Sequence, residues 1–110
     1  MTPQDLTDRY FEAMRRQDLD LLLSVMADDA VLVWPDGRRV SGKAEIAAVY
    51  AKLFEHPSNN PAPGPMMVGP DSVSTEVASR FASGETRRTC NVFRFGASGL
   101  IARMDSYRQD

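Results

Sequence analysis

A chain of 110 residues with 43% hydrophobic and 25% charged residues has the balance of one globular domain, 1–110, built around a single core. Thirteen Lys and Arg against fifteen Asp and Glu give a net charge of −2, and the arginines come in isolated pairs (Arg15-Arg16, Arg38-Arg39, Arg87-Arg88), which excludes the clustered basic footprint that nucleic acid requires. The lone Cys90 excludes an intrachain disulfide, no run of about 18 apolar residues is long enough for a membrane span, and no basic-then-apolar leader is visible, so a cytoplasmic protein is expected.

The first helix opens in "TPQDL". Thr2 suits the N-cap, Pro3 the first helical position, and Asp5 falls three residues after the cap. Leu6, Tyr10, Ala13 and Met14 then recur at helical spacing. A second helix from Asp18 repeats the pattern with Leu19, Leu22, Leu23 and Met26. Asp28-Asp29 end the helical region, and Ala30 to Trp34 form a strand that stops at Pro35. Asp36-Gly37 turn the chain, with Arg38 to Val40 as a short second strand.

A third helix begins near Ser41-Gly42, buries Ile46, Val49, Tyr50, Leu53 and Phe54, and ends at His56-Pro57. "HPSNNPAPGPMMVGP" holds five prolines and two glycines. It reads as a Pro/Gly-rich loop over 57–70, a lid or a mobile segment, with a strand beginning only at about Met66. The rest is strand. Val73, Thr75, Val77 and Phe81 share one face, as do Asn91, Phe93 and Phe95, and then Ala102, Met104 and Ser106. "SGE" and "ASG" are the turns between these strands. The order is α+β: a cone-shaped, curved antiparallel sheet wrapped over three helices of the N-terminal half, enclosing a hydrophobic pocket.

"DRYFEAMRRQDLDLLLSVMADDAVLVWPDG", "SGKAEIAAVYAKLF" and "NVFRFGASGLIARMDSY" resemble the nuclear transport factor 2-like superfamily, in its SnoaL-like and ketosteroid isomerase-like branches. That fold hosts isomerases, cyclases, epoxide hydrolases, dehydratases, binders and dimerisation modules, so the resemblance implies a fold more than an activity. In the isomerases a tyrosine of the first helix donates to a developing enolate, and Tyr10 stands at that place. A second tyrosine on the third helix supports the first, and Tyr50 stands there. A protonated acid before "xFRF" completes the oxyanion hole; here it is Asn91, whose amide donates without any shift of pKa. The general base of the isomerases is an acid just before the proline that ends the first strand. Here that residue is Trp34, whose indole has one N–H donor and no basic site.

Trp34 therefore either fills the pocket or forms a wall for a ligand. A ligand would meet Tyr10, Met14, Trp34, Tyr50, Phe54, Phe81, Asn91, Phe93 and Met104. The catalytic candidates are Tyr10, Asn91 and Asp36, although "PDG" also explains Asp36 as a turn residue. Strand alternation turns Asp105 away from the pocket, toward Arg94 or Arg103. His56 suits a helix C-terminus, and Cys90 suits a packed position. One histidine and one distant cysteine leave no zinc spacing, and no phosphate-binding glycine loop occurs, so neither metal nor cofactor is expected.

Three readings follow. The chain binds a small apolar molecule bearing a carbonyl or hydroxyl; or it is an isomerase- or cyclase-type enzyme with Asp36 or Asp105 as base; or it is a dimerisation module whose pocket Trp34 has filled. A cavity of about 300 Å³ or more favours the first two. Val31, Val33, Cys90, Val92, Ile101 and Tyr107 place apolar groups on the sheet face away from the helices, which predicts a homodimer through that face.

Overall fold

A computed structural model describes residues 1–55, 60–81 and 83–109. The chain runs α1 (Pro3–Arg16), α2 (Leu19–Ser24), β1 (Met26–Val33), β2 (Arg39–Ser41), α3 (Lys43–Phe54), β3 (Asn60–Val68), β4 (Ser72–Arg80), β5 (Thr86–Phe95) and β6 (Ile101–Arg108). α1 starts in a full capping box: the Thr2 hydroxyl accepts from the Asp5 amide at 3.1 Å, and the Asp5 carboxylate accepts from the Thr2 amide at 3.0 Å. Asp18 caps α2 by accepting from the Leu21 amide.

The six strands form one curved sheet in the order β2-β1-β6-β5-β4-β3. This is the α+β architecture expected from the element order. Every neighbouring pair is antiparallel except β1 and β6, which run parallel. The antiparallel pairs are successive in the chain, whereas most of the sequence lies between β1 and β6, so no hairpin fixes their direction. α1 packs against β3 and β4, and α3 against β1 and β2. Between helices and sheet lies a core that includes Leu6, Phe11, Leu22, Leu32, Ile46 and Phe93. Phe93 meets the rings of Tyr10 and Phe11 at 5.1 and 5.8 Å, both edge-on.

Two boundaries and one facing differ from the sequence expectations. β1 begins at Met26, which helical spacing places in the second helix, and it ends at Val33, so Trp34 lies just past the strand. Its pairing to β6 breaks between Met26 and Val31, and Asp28 and Asp29 sit exposed within that irregular stretch. A bulge lets two acids interrupt a strand without entering the core. Secondly, the expected 57–70 loop contains a strand from Asn60, not from about Met66. β3 is an outer strand, and Pro61 and Pro63 fall at alternate positions opposite Ser79 and Val77. Proline is tolerated on an edge where its missing N–H faces away from the partner. The register shifts between Pro63 and Met66, and the buried Thr75 hydroxyl donates to the Gly64 carbonyl there at 3.1 Å. The expected helix end at His56-Pro57 lies outside the described residues.

Thirdly, Ile101 is fully buried in the core instead of lying on the outer face. Ile101 pairs with Phe95, but Arg103 pairs with Arg94, so Ala102 is an extra residue that inverts the alternation. Beyond this bulge the expected parity holds. Asp105 is 4% exposed and faces away from the helices. Arg103 grips it with two bonds of 2.8 and 3.0 Å, and Arg94 adds one of 2.9 Å from β5. The Arg103 hydrogen bond holds the Asp105 carboxyl below the ordinary carboxylate range, against the opposing effect of burial.

A depressed folded pKa gives stability that is present above the unfolded value of 3.8 and lost as pH falls through the folded value. Urea denaturation of Asp105→Asn at pH 7 is expected to show a loss of about 1.5–3 kcal/mol, the worth of hydrogen bonds to a charged group. Below pH 4 the wild type is expected to lose this advantage and converge on the variant. An equally stable variant at pH 7 would show that the arginines do not hold the sheet through this carboxylate.

Candidate functional site

The concave side of the sheet and the helices line a cavity of about 470 Å³, bordered by solvent at the exposed Pro35, Asp36 and Arg38 of the β1–β2 hairpin and at Leu53, Arg87 and Arg108. The hairpin turn is fixed by two bonds: the Trp34 amide donates to the Arg38 carbonyl at 2.9 Å, and the Gly37 amide donates to the Trp34 carbonyl at 2.8 Å. Gly37 has φ +88°, a left-handed conformation that costs glycine little. This turn places the half-buried Trp34 against the cavity, with its ring 6.1 Å from that of Tyr50. Trp34 is a wall of the cavity and leaves its volume open.

Of the sequence-predicted residues, Tyr10 and Met14 of α1 line the cavity with Trp34 and Asp36 of the hairpin. Phe81, just past β4, Asn91 of β5 and Met104 of β6 complete that set. Tyr50, Phe54 and Phe93 do not reach the wall, contrary to expectation. Tyr50 stands behind Tyr10 and is wrapped by Trp34 and Phe54; Phe93 is clamped between Tyr10 and Phe11. Large rings on the first buried layer become support for the layer above them.

Sequence reasoning passed over Arg87, Thr89, Ser106 and Arg108, which the strand alternation already placed beside Asn91 and Met104. It also passed over Val77 and Ser79, on the face of Phe81, and Arg38 in the hairpin. Pro61 had no signal, because its segment read as a loop.

Two buried polar pairs mark the interior. The hydroxyls of Tyr10 and Tyr50 lie 2.8 Å apart, and either can donate. Burial pushes the Tyr10 hydroxyl up to about 12, although its bond to Tyr50 favours ionisation. Tyr50 is raised well above its ordinary value by burial, by repulsion from Tyr10 and by the hydrogen bond. Both are neutral hydrogen-bonding groups at physiological pH. The second pair is Ser106, whose hydroxyl donates to Asn91 Oδ1 at 2.8 Å across the β5–β6 ladder. This fixes the Asn91 side chain and leaves its amide nitrogen without an acceptor among the described residues.

Asp36 is the cavity's one carboxylate among the described residues, and it accepts from the Arg38 amide at 2.9 Å as part of the turn. Asp105 is on the other face of the sheet. Trp34 occupies the strand tip where the isomerase-like pattern needs a base. Among the described residues the buried interior therefore offers donors and apolar surface, with no carboxylate on the wall beside Tyr10 and Asn91.

The family model for the SnoaL-like domain matches residues 7–104. No curated protein sequence matches the chain. Among solved structures, a SnoaL-like protein of unknown function from Burkholderia thailandensis is similar with a TM-score of 0.82 and 23% identity, over 98% of this chain and 95% of that one. SalBIII, an epoxide hydrolase/cyclase-like enzyme of pyran ring formation in salinomycin, has a TM-score of 0.83 and 15% identity, over 97% and 90%. A computationally designed binder of 17-OHP has a TM-score of 0.81 and 19% identity, again over 97% and 90%. At these identities the likeness shows the fold.

The tyrosine pair generates an alkaline prediction. A folded pKa near 12 against an unfolded value near 10 stabilises the fold below pH 10, and that stabilisation disappears as pH rises from 10 to 12. Denaturant midpoints measured from pH 7 to 12 are expected to hold to about pH 9 and then fall. The Tyr10→Phe/Tyr50→Phe double variant is expected to lack most of that fall. An identical alkaline limb in the double variant would place its source elsewhere.

Proposed function

The chain belongs to the SnoaL-like domain family, and on that premise we propose that it binds a small apolar molecule bearing a carbonyl or hydroxyl group. The observation that carries this reading is the pairing of two neutral donors with an apolar wall. Tyr10 and Asn91 both line the cavity, and their partners Tyr50 and Ser106 are buried beside them. When Tyr50 donates to Tyr10, the Tyr10 proton is free for an acceptor in the cavity. The Asn91 amide supplies a second donor. Between them a ligand oxygen would replace water with two fixed bonds.

The apolar body of the ligand would rest on Met14, Trp34, Leu53, Phe81 and Met104. A volume of about 470 Å³ favours a ligand site over a filled dimerisation module. The wall supports binding more directly than catalysis, because Trp34 stands in the base position and Asp36 is engaged in its turn. The similar structures that are named for cyclase-like and binding roles are compatible with such a cavity.

The single tryptophan reports the site. Addition of 2-decalone, a bicyclic aliphatic ketone, is expected to change Trp34 fluorescence saturably. Tyr10→Phe is expected to weaken that binding by about tenfold, the equivalent of one good hydrogen bond. No saturable change, or equal affinity in the variant, would sink the reading.

A second proposal concerns assembly. The outer face carries Tyr107 at 56% exposure, with the half-buried Val31, Val33, Cys90 and Val92 on the strands beside it. Ile101 does not contribute, and the ion-paired Arg103 and Asp105 of β6 lie between Val31 and Val33 on one side and Arg94 and Val92 on the other, so the face is apolar groups around a compensated charged centre. We propose that a second copy covers it in a two-fold dimer. Sedimentation equilibrium at micromolar concentration is expected to give twice 12.2 kDa for the wild type, and the monomer mass for Val92→Asp. A wild-type mass of 12.2 kDa would refute the assembly.

A further inference from the structure

The cavity mouth is cationic in a chain whose net charge is −2. Among the described residues, Arg38, Arg87 and Arg108 line it against one lining carboxylate, Asp36. Their placement is set by the strand register. Arg108 lies opposite Thr89, and Arg87 is two residues from Thr89 on the same face. The two arginines are thus diagonal neighbours on adjacent strands, about 7–8 Å apart at the backbone and within reach of one object. Arg38 approaches from the hairpin.

These cations are not spent on one another's partners. Arg87 pairs with Glu85 at 3.3 Å and lays its guanidinium 4.9 Å from the Phe81 ring centre. Arg38 and Arg108 form no ion pair with any described residue. Asp36 accepts from the backbone amide of Arg38 and leaves the guanidinium free. The arginines are exposed, whereas Asn91 and Ser106 are buried. The cavity therefore grades from neutral donors at depth, through an apolar middle, to cations at its mouth.

We propose that the occupant carries, besides the oxygen held at depth by Tyr10 and Asn91, a carboxylate at the far end of its apolar body, bound at the mouth against Arg38 and Arg108, with Arg87 beside them. The planar guanidinium fork matches a carboxylate with two parallel bonds. The cationic mouth also attracts an anion that the net charge of the chain would repel. This assignment rests on the cavity being the ligand site, and it adds the charge class of the ligand.

The test uses one skeleton with three head groups: decalin-2-carboxylate, the isosteric decalin-2-carboxamide, and 2-decalone, each titrated calorimetrically into the wild type and into Arg38→Gln/Arg108→Gln. The expected result is a carboxylate that binds the wild type at least about tenfold more tightly than the carboxamide at low salt. That ratio should shrink toward one in the double variant and at about 1 M salt. Binding of 2-decalone should be the same in both proteins. A carboxamide that binds as well as the carboxylate overturns the charge class and leaves the ketone site intact. A ratio that survives in the double variant overturns the role of these arginines. Failure of all three compounds to bind overturns this proposal together with the ligand site itself.

Discussion

One hydrogen bond organises the interior. The hydroxyls of Tyr10 and Tyr50 meet at 2.8 Å, and both side chains are almost wholly buried. An unpaired hydroxyl there would cost about 1–3 kcal/mol, so each tyrosine constrains the other. The bond ties α1 to α3, and through them the two ends of the sheet. It also holds two large rings at fixed angles, and the remaining aromatics pack around that pair: Phe11 and Phe93 on the Tyr10 side, Trp34 and Phe54 on the Tyr50 side. Cavity walls built on such a frame cannot collapse without breaking the bond or forcing side chains into strained packing.

The sheet keeps its two faces chemically apart. On the concave side the buried polar groups are neutral, paired and few: Asn91 with Ser106, and Thr75 with the carbonyl of the β3 bulge. On the convex side the buried polar group is charged, and Asp105 has two arginines to compensate it. A carboxylate on the concave side would have needed a similar cationic partner at depth, and none of the described residues supplies one there. The division explains why the interior is suited to a neutral oxygen while charge is confined to the mouth.

Much of the fold was legible because its signals are local. Thr2, Pro3 and Asp5 announce the start of α1, and the alternation through β4, β5 and β6 sorts Val77, Asn91, Met104 and Asp105 to their correct faces. What failed was register. Ala102 is one extra residue, invisible to alternation, and it moved Ile101 from the outer face into the core. Asp28 and Asp29 looked like a helix end because acids seldom occupy strands, yet a bulge lets them face solvent. Proline content hid β3, since composition cannot tell an edge strand from a loop. Within the site, parity correctly directed attention to Asn91, but depth was not readable. Phe93 and Tyr50 point inward and still stop one layer short of the cavity, whereas Arg87 and Arg108 reach its mouth from positions that read as surface charge.

The prolines of β3 have a consequence beyond local geometry. An open sheet has two borders, and each is a template onto which an extended segment of another molecule can be knitted. Here one border is β2, only three residues long, and the other is β3, where Pro61 and Pro63 remove alternate donors from the free side. Neither border offers a continuous ladder to a stranger. Aggregation through cross-β growth is therefore disfavoured at both margins even before the flanking helices have docked during folding. The same segment that closes the cavity with Pro61 thus also guards the nascent sheet against polymerisation.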